Sequence, residues 1–226
     1  MNKKECIREI EKIAKQYFKE ASSCHDWTHV ERVRKLALRI GRKERADLEV
    51  LEIATLLHDI GRKEEMKNKG MNKCGTKLCH AELGAKEART ILKKYTLPKE
   101  KYDNIIHCIQ THRYRGENKP KTLEARILFD ADKLDSIGAI GVARDFLFAG
   151  NSGSQTLYTG NEKEIAKSNK DYSYTKEDSA ILEYEIKLKY VKDRILTKTG
   201  KKMAGDRHDF MEKFFQRFWQ EVEGEK

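Results

Sequence analysis

The chain has 226 residues, 37% of them charged and 38% hydrophobic, with charges of both signs interleaved among recurring apolar residues. That balance argues against disorder and suits one large domain, or a main domain with a small appendage. The net charge of +10 favours phosphate-bearing partners, but the lysines are dispersed as on solvated helix faces, not massed into one tract.

Only two prolines occur, Pro98 and Pro120, while Leu, Ile, Ala, Lys and Glu abound, so the fold is expected to be all-α. Ile7, Ile10, Ala14, Tyr17 and Phe18 mark a first amphipathic helix, which Ser22-Ser23 interrupts. A second begins near 26–28, where Thr28-x-x-Glu31 has capping-box form, and carries Val33, Leu36 and Ile40 to a stop at Gly41. A third runs from about 47 to 60, with Gly61 ending it. Residues 62–79 read as a charged loop, followed by helices over 81–95 and 99–111 and a basic turn, His112-Arg113-Tyr114-Arg115-Gly116. Two apolar helices over 122–136 and 139–148 lead into a polar stretch, 150–176, whose length suggests a binding loop or lid. Helices over 178–196 and 209–222 close the chain.

No run approaches the ~20 apolar residues of a membrane span, and Met1-Asn2-Lys3-Lys4-Glu5 leads into a charged helix rather than a signal peptide. The five cysteines are odd in number and lack C-x-x-C spacing, which points to reduced thiols in a cytoplasmic protein.

Three apolar helix stripes each carry a polar residue inward. His29 lies with Val33, Leu36 and Ile40; His58 with Leu51 and Ala54; Asp132 with Ala125, Leu128 and Phe129. Asp59 adjoins His58. Burying an unpaired carboxylate or an unsatisfied imidazole is costly, and a shared divalent cation would offset all four. Two imidazoles and two carboxylates leave coordination positions open for water and substrate. The plain alternative is that each is a satisfied core residue, since His-Asp occurs three times here, at 25–26, 58–59 and 208–209.

The strings around these residues carry a resemblance. His25-Asp26-Trp27-Thr28-His29-Val30-Glu31-Arg32-Val33, Leu56-Leu57-His58-Asp59-Ile60-Gly61-Arg62, His80-Ala81-Glu82-Leu83-Gly84-Ala85, Thr111-His112-Arg113-Tyr114-Arg115 and Leu128-Phe129-Asp130-Ala131-Asp132-Lys133-Leu134-Asp135 resemble, in that order, the HD superfamily of metal-dependent phosphohydrolases. The likeness covers roughly residues 20–145 and is nearest to the small stand-alone HD hydrolases, some of which are manganese-dependent nucleoside triphosphate pyrophosphohydrolases. It implies an HD-domain helical bundle with additional C-terminal helices. The chain is then a single HD-type domain over 1–226, with a motif core at about 20–145, a loop or lid at 150–176 and C-terminal helices over 177–226.

The resemblance further implies a divalent cation, Mn²⁺ before Mg²⁺, Fe²⁺, Co²⁺, Ni²⁺ or Zn²⁺, held by His29, His58, Asp59 and Asp132. Asp132 is preferred to Asp130, which lies two positions away, about 200° around the helix. Asp59, His80 and His112 are the expected catalytic residues. His80 and His112 are candidates to touch phosphate, protonate a leaving oxygen or hold a second ion. Arg32, Arg62, Lys63, Arg113, Arg115 and Lys133 are expected to meet substrate phosphates, and Asp26 and Asp135 to support the ligands from behind. The expected reaction takes (deoxy)nucleoside triphosphates to monophosphate and pyrophosphate. The alternatives are a monophosphate 5′-nucleotidase, a phosphodiesterase, or a non-catalytic HD protein that binds nucleotide or nucleic acid. The expected partner is a small nucleotide, not nucleic acid or a membrane, and a homodimer is compatible with the sequence. Two departures weaken a cyclic dinucleotide reading: Arg62 stands before Lys63 where that subfamily has Lys directly, and Thr111 stands where it has a second His beside His112.

Overall fold

A computed structural model of the chain describes residues 2–19, 25–67, 79–113, 118–151, 154, 156–168 and 179–226. Among them no strand forms, and the fold is all-α. The helices are α1 (Lys3–Tyr17), α2 (Trp27–Glu44), α3 (Leu48–Leu57), α4 (Arg62–Lys67), α5 (His80–Leu92), α6 (Lys99–Thr111), α7 (Leu123–Asp135), α8 (Gly138–Asn151), α9 (Glu162–Lys167), α10 (Ala180–Ile186) and α11 (Lys198–Val222), with a 3-10 helix at Leu188–Arg194. They fall into two compact units, Met1–Asp132 and Lys133–Lys226.

In the first unit α3 is the central rod. Val50, Leu51, Ile53, Ala54, Thr55, Leu56 and Leu57 are all buried, and α3 packs against α1, α2, α5 and α6. Seven of its ten residues are buried, as in a helix enclosed on most sides, and its two charged residues, Glu49 and Glu52, pair with Lys101 and Arg34. Asp47 starts it, its carboxylate accepting from the backbone N–H of Glu49 and Val50. α2 is started by Asp26, not by Thr28: the Asp26 side chain accepts from His29 N–H at 3.1 Å and from the Thr28 hydroxyl at 2.7 Å. Nor does α2 stop at Gly41. It continues to Glu44 and ends at Arg45 in the left-handed region, φ 60°. Gly41 serves packing instead, since a Cβ there would lie 2.4 Å from Leu51 Cδ1, and its absence lets α2 and α3 approach closely.

α4 is a six-residue helix inside the segment read as a loop. Residues 68–78 of that segment lie outside the described residues.

In the second unit α11 packs on α8 and on the 3-10 helix, and α10 packs on α8 and α9. Here α11 begins eleven positions earlier than the sequence pattern suggests: 209 − 198 = 11. Thr197 caps it, accepting from Gly200 N–H at 3.0 Å. The stretch 178–196 is not one helix but α10 followed by the tighter 3-10 turn. α9 occupies part of 150–176, where the buried Glu162 carboxylate accepts from Thr159 and Gly160 N–H. Among the described residues no helix is long and apolar enough to cross a membrane.

Candidate metal centre

Four helices and one turn of the first unit deliver the polar residues. α2 contributes His29 from its first turn, and the turn that follows α3 contributes His58 and Asp59. His80 is the first residue of α5, His112 directly follows α6, and Asp132 lies in the last turn of α7. All six are buried. The imidazoles form a chain of ring contacts from His25 through His29, His58 and His112 to His80, with centroids 5.2 to 5.4 Å apart.

Asp59 is the hub. Its Oδ2 lies 3.6 Å from His29 Nε2, 3.6 Å from His25 Nδ1 and 3.8 Å from His58 Nε2, and it accepts from Arg62 Nε at 2.5 Å. Its Oδ1 lies 3.3 Å from His112 Nε2 and 3.6 Å from His80 Nε2. Asp132 Oδ1 lies 3.5 Å from His29 Nε2. The ligand atoms of His29, His58 and Asp132 lie within 4.8 Å of one another, as do those of Asp59, His80 and His112, and those of His25, His29 and Asp59.

Hydrogen bonding at the far side of each ring sets which nitrogen carries the proton. His58 Nδ1 donates to the Thr55 carbonyl at 2.7 Å, and His112 Nδ1 donates to the Ile109 carbonyl at 2.6 Å. A carbonyl can only accept, so each Nδ1 holds a proton, which leaves Nε2 as the nitrogen that faces inward. Burial pushes His58 down to about 4, more than the neighbouring Asp59 charge can restore, and burial with the Arg62 charge brings His80 to about 4. Both are neutral at pH 7. Burial disfavours the Asp59 charge, but the Arg62 guanidinium, first among several groups, outweighs it and holds the carboxyl well below the usual range.

Asp59 Oδ1, His80 Nε2 and His112 Nε2 consequently face one another without a hydrogen-bond partner. A single water could donate to two of these three acceptors. A cation among these residues would relieve acceptors that one water cannot, and imidazole with carboxylate is a donor set that first-row divalent ions accept.

The expected ligands His29, His58, Asp59 and Asp132 thus come together, with His80 and His112 beside them. Of the expected phosphate contacts, Arg62 lies against Asp59, and Arg113 lies 3.7 Å from Glu65 Oε1. Arg32 donates to Thr28 Oγ1 at 2.9 Å, Lys63 is exposed, and Arg115 lies outside the described residues. Lys133 is buried in α7 and Asp135 pairs with Arg144 at 2.8 Å, both within the second unit. Asp26 caps α2 three positions before His29, which steadies the helix start that carries this expected ligand. Asp130 is fully buried.

Two residues were missed. His25, with its side chain 25% exposed, edges against His29 and faces Asp59. Its spacing from His29 is one helical turn, a signal present in the sequence but read only as a flank. Glu65 binds His80, and nothing in its charged surroundings marks it out.

The family profile of the HD domain matches residues 26–137, a span that contains all six of these polar residues. Bacillus subtilis (strain 168) YpgQ, an uncharacterised protein, is 34% identical over 210 residues, covering 91% of this chain and 88% of YpgQ. The crystal structure of YpgQ in complex with ADP superposes with a TM-score of 0.69 at 28% identity, covering 98% of this chain and 97% of that one. An HD-superfamily hydrolase from Bacillus thuringiensis gives 0.72 at 26% identity over 98% and 99% of the two chains. A predicted HD-superfamily hydrolase from an uncultured Thermotogales bacterium gives 0.65 at 29% over 95% and 92%. The HD domain implies a divalent-metal site, and a histidine–aspartate cluster able to hold one stands where the profile matches. With sequence likeness over nine-tenths of its length, a shared fold and that cluster, the chain belongs to the HD superfamily of hydrolases.

Proposed function

We propose that the protein is a divalent-cation-dependent nucleotide phosphohydrolase that converts (deoxy)nucleoside triphosphates to monophosphate and pyrophosphate. The observation that carries this reading is the convergence of Asp59 Oδ1, His80 Nε2 and His112 Nε2, three buried acceptors with no donor among them, directly beside a second group of His29, His58 and Asp132. His29, His58, Asp59 and Asp132 would hold the cation, and manganese is the ion the family resemblance favours. A bound divalent cation supplies Lewis acidity, making water more acidic and drawing charge off a phosphoryl oxygen.

The protein's own groups do the rest. Among Asp59, His80 and His112, two acceptors hold the two hydrogens of a water molecule and turn its oxygen outward; one of them takes a single proton as that oxygen attacks the α-phosphorus in line. The α–β anhydride bond breaks and pyrophosphate departs. Arg62 and Arg113 supply positive charge near the equatorial oxygens, where charge builds up in the transition state. Helices pack around the cluster and exclude bulk water, which strengthens each of these interactions. The complex of YpgQ with ADP supports a nucleotide as the ligand class.

The test is product analysis with purified protein, Mn²⁺ and a panel of ribo- and deoxynucleoside mono-, di- and triphosphates, with Asp59→Ala in parallel. Monophosphate plus pyrophosphate, abolished by chelation and lost in the variant, is the expected result. Inorganic phosphate released from monophosphates would move the assignment to a nucleotidase. Turnover that persists undiminished in Asp59→Ala would remove the site from the chemistry.

A further inference from the structure

We infer that Glu65 is a positioning residue whose carboxylate fixes the tautomer of His80, so that His80 presents a lone pair and not an N–H to the centre. The inference rests on the reading of His80 as part of the site. His58 and His112 are tethered by backbone carbonyls, but His80 is tethered by a side chain. Glu65 Oε2 accepts from His80 Nδ1 at 2.9 Å. The other oxygen, Oε1, accepts from the backbone N–H of His80 at 3.2 Å and faces the Arg113 guanidinium at 3.7 Å. Both contacts have a single polarity. An ionised carboxylate has no proton to give, so Nδ1 must carry one and Nε2 must not.

The local structure shows how Glu65 reaches this place. Cys79, which precedes α5, offers no side-chain cap, so the first N–H of α5 is met from outside by Glu65 on the packed neighbour α4. One carboxylate therefore starts the helix that carries His80 and orients its ring. The Nε2 atom, 3.6 Å from Asp59 Oδ1, is buried and has no hydrogen-bond partner, as expected of a bare lone pair opposite a carboxylate oxygen. The opposite tautomer would aim an N–H at Asp59 Oδ1 and occupy the acceptor that the water needs. Second-sphere partners of this kind commonly change metal affinity or activity about ten- to a hundredfold when removed.

Glu65→Gln tests the inference with the volume unchanged. Only one amide orientation keeps both contacts: the oxygen accepts from His80 N–H, and the NH2 group donates to Nδ1. Nδ1 then gives up its proton and Nε2 takes one. Long-range ¹H–¹⁵N spectra of the full chain in chelator distinguish the two tautomers, with the His80 signals identified by their loss in His80→Gln. The wild type is expected to show the Nδ1–H form and Glu65→Gln the Nε2–H form. With the cation present, kcat of Glu65→Gln should fall about ten- to a hundredfold with KM little changed. A wild-type His80 found as Nε2–H, or a folded Glu65→Gln still in the Nδ1–H form, would overturn the inference. The wild-type spectrum decides even if the variant does not fold. The spectra need no substrate, so an absence of triphosphate turnover would sink the proposed reaction without touching this result.

Discussion

At position 61 there is no room for a side chain. A Cβ on Gly61 would lie 2.3 Å from the His80 carbonyl oxygen and 2.5 Å from Gly84 N, both backbone atoms that cannot rotate away. Gly61→Ala is therefore expected to lose about 1–3 kcal/mol by overpacking. For a chain of this size that is a fall in Tm of about 2–4 °C per kcal/mol, read by thermal unfolding. Gly205, inside α11 with open space where its Cβ would be, is the counterpart. Gly205→Ala should gain up to about 1 kcal/mol in the same assay. Single residues of the candidate site were legible in the sequence where a polar group interrupts an apolar stripe, as His29, His58 and Asp132 do. His25 precedes the first turn of α2, and Glu65 sits among Lys63, Glu64 and Lys67, so neither interrupts any stripe. Their roles follow from packing that no local pattern encodes.

At the scale of elements, the end of α3 depends on its beginning. Burial opposes the Asp47 charge, but hydrogen bonds from Lys101 and from the Val50 and Glu49 N–H groups prevail and lower its pKa. A lowered carboxyl pKa stabilises the fold above the ordinary value, and that contribution is lost as pH falls through the folded value. Asp47→Ala should cost about 1 kcal/mol at neutral pH. It should cost progressively less under acid, where the wild type has lost the same cap. Urea melts at pH 7 and at acid pH would show the two curves converging, and a gap that widened under acid would refute this account.

The long elements were readable for the reason that α3 is stable: apolar residues recur over several turns. α4 and α9, of six residues each, are too short to show a period. The start of α11 was hidden by Gly200, Gly205 and the run Lys201-Lys202, which mask a helix held by its Thr197 cap and by Ala204, His208 and Met211 beneath it. Gly41 read as a stop because glycine commonly ends helices; here the near contact with Leu51 explains it better.

For the whole molecule, the proposed metal centre would link metal binding to folding. Several mutually repelling acceptors are buried together, so a cation that binds the folded state alone adds to its stability by mass action. At a free Mn²⁺ concentration of about a hundred times Kd the gain is about 2.7 kcal/mol, or a rise in Tm of roughly 5–10 °C. Differential scanning fluorimetry with Mn²⁺ and with chelator measures it, and Asp132→Ala should abolish most of the shift. An equal shift in that variant would place the bound ion elsewhere. The all-α class and the order of the polar strings were legible across most of the chain, because they depend on composition and on motifs. Its division into units at residue 132 was not, since the boundary falls inside the unbroken helix α7, where no proline or glycine marks it.

The carbonyls that hold His58 and His112 have a second significance. Thr55 lies in the last turn of α3 and Ile109 in the last turn of α6, where carbonyls have exhausted their helical donors. Each imidazole reaches back three residues and closes one of those open groups, so the ring is the helix's own terminator. Helix ending and ring aiming are one event, complete once the helix has formed. A helix prolonged by a single residue would keep its fold and swing the ring about 100° aside. The length of α3 and α6 is thereby fixed to the residue, by a requirement that concerns neither hydrophobic packing nor the cation itself.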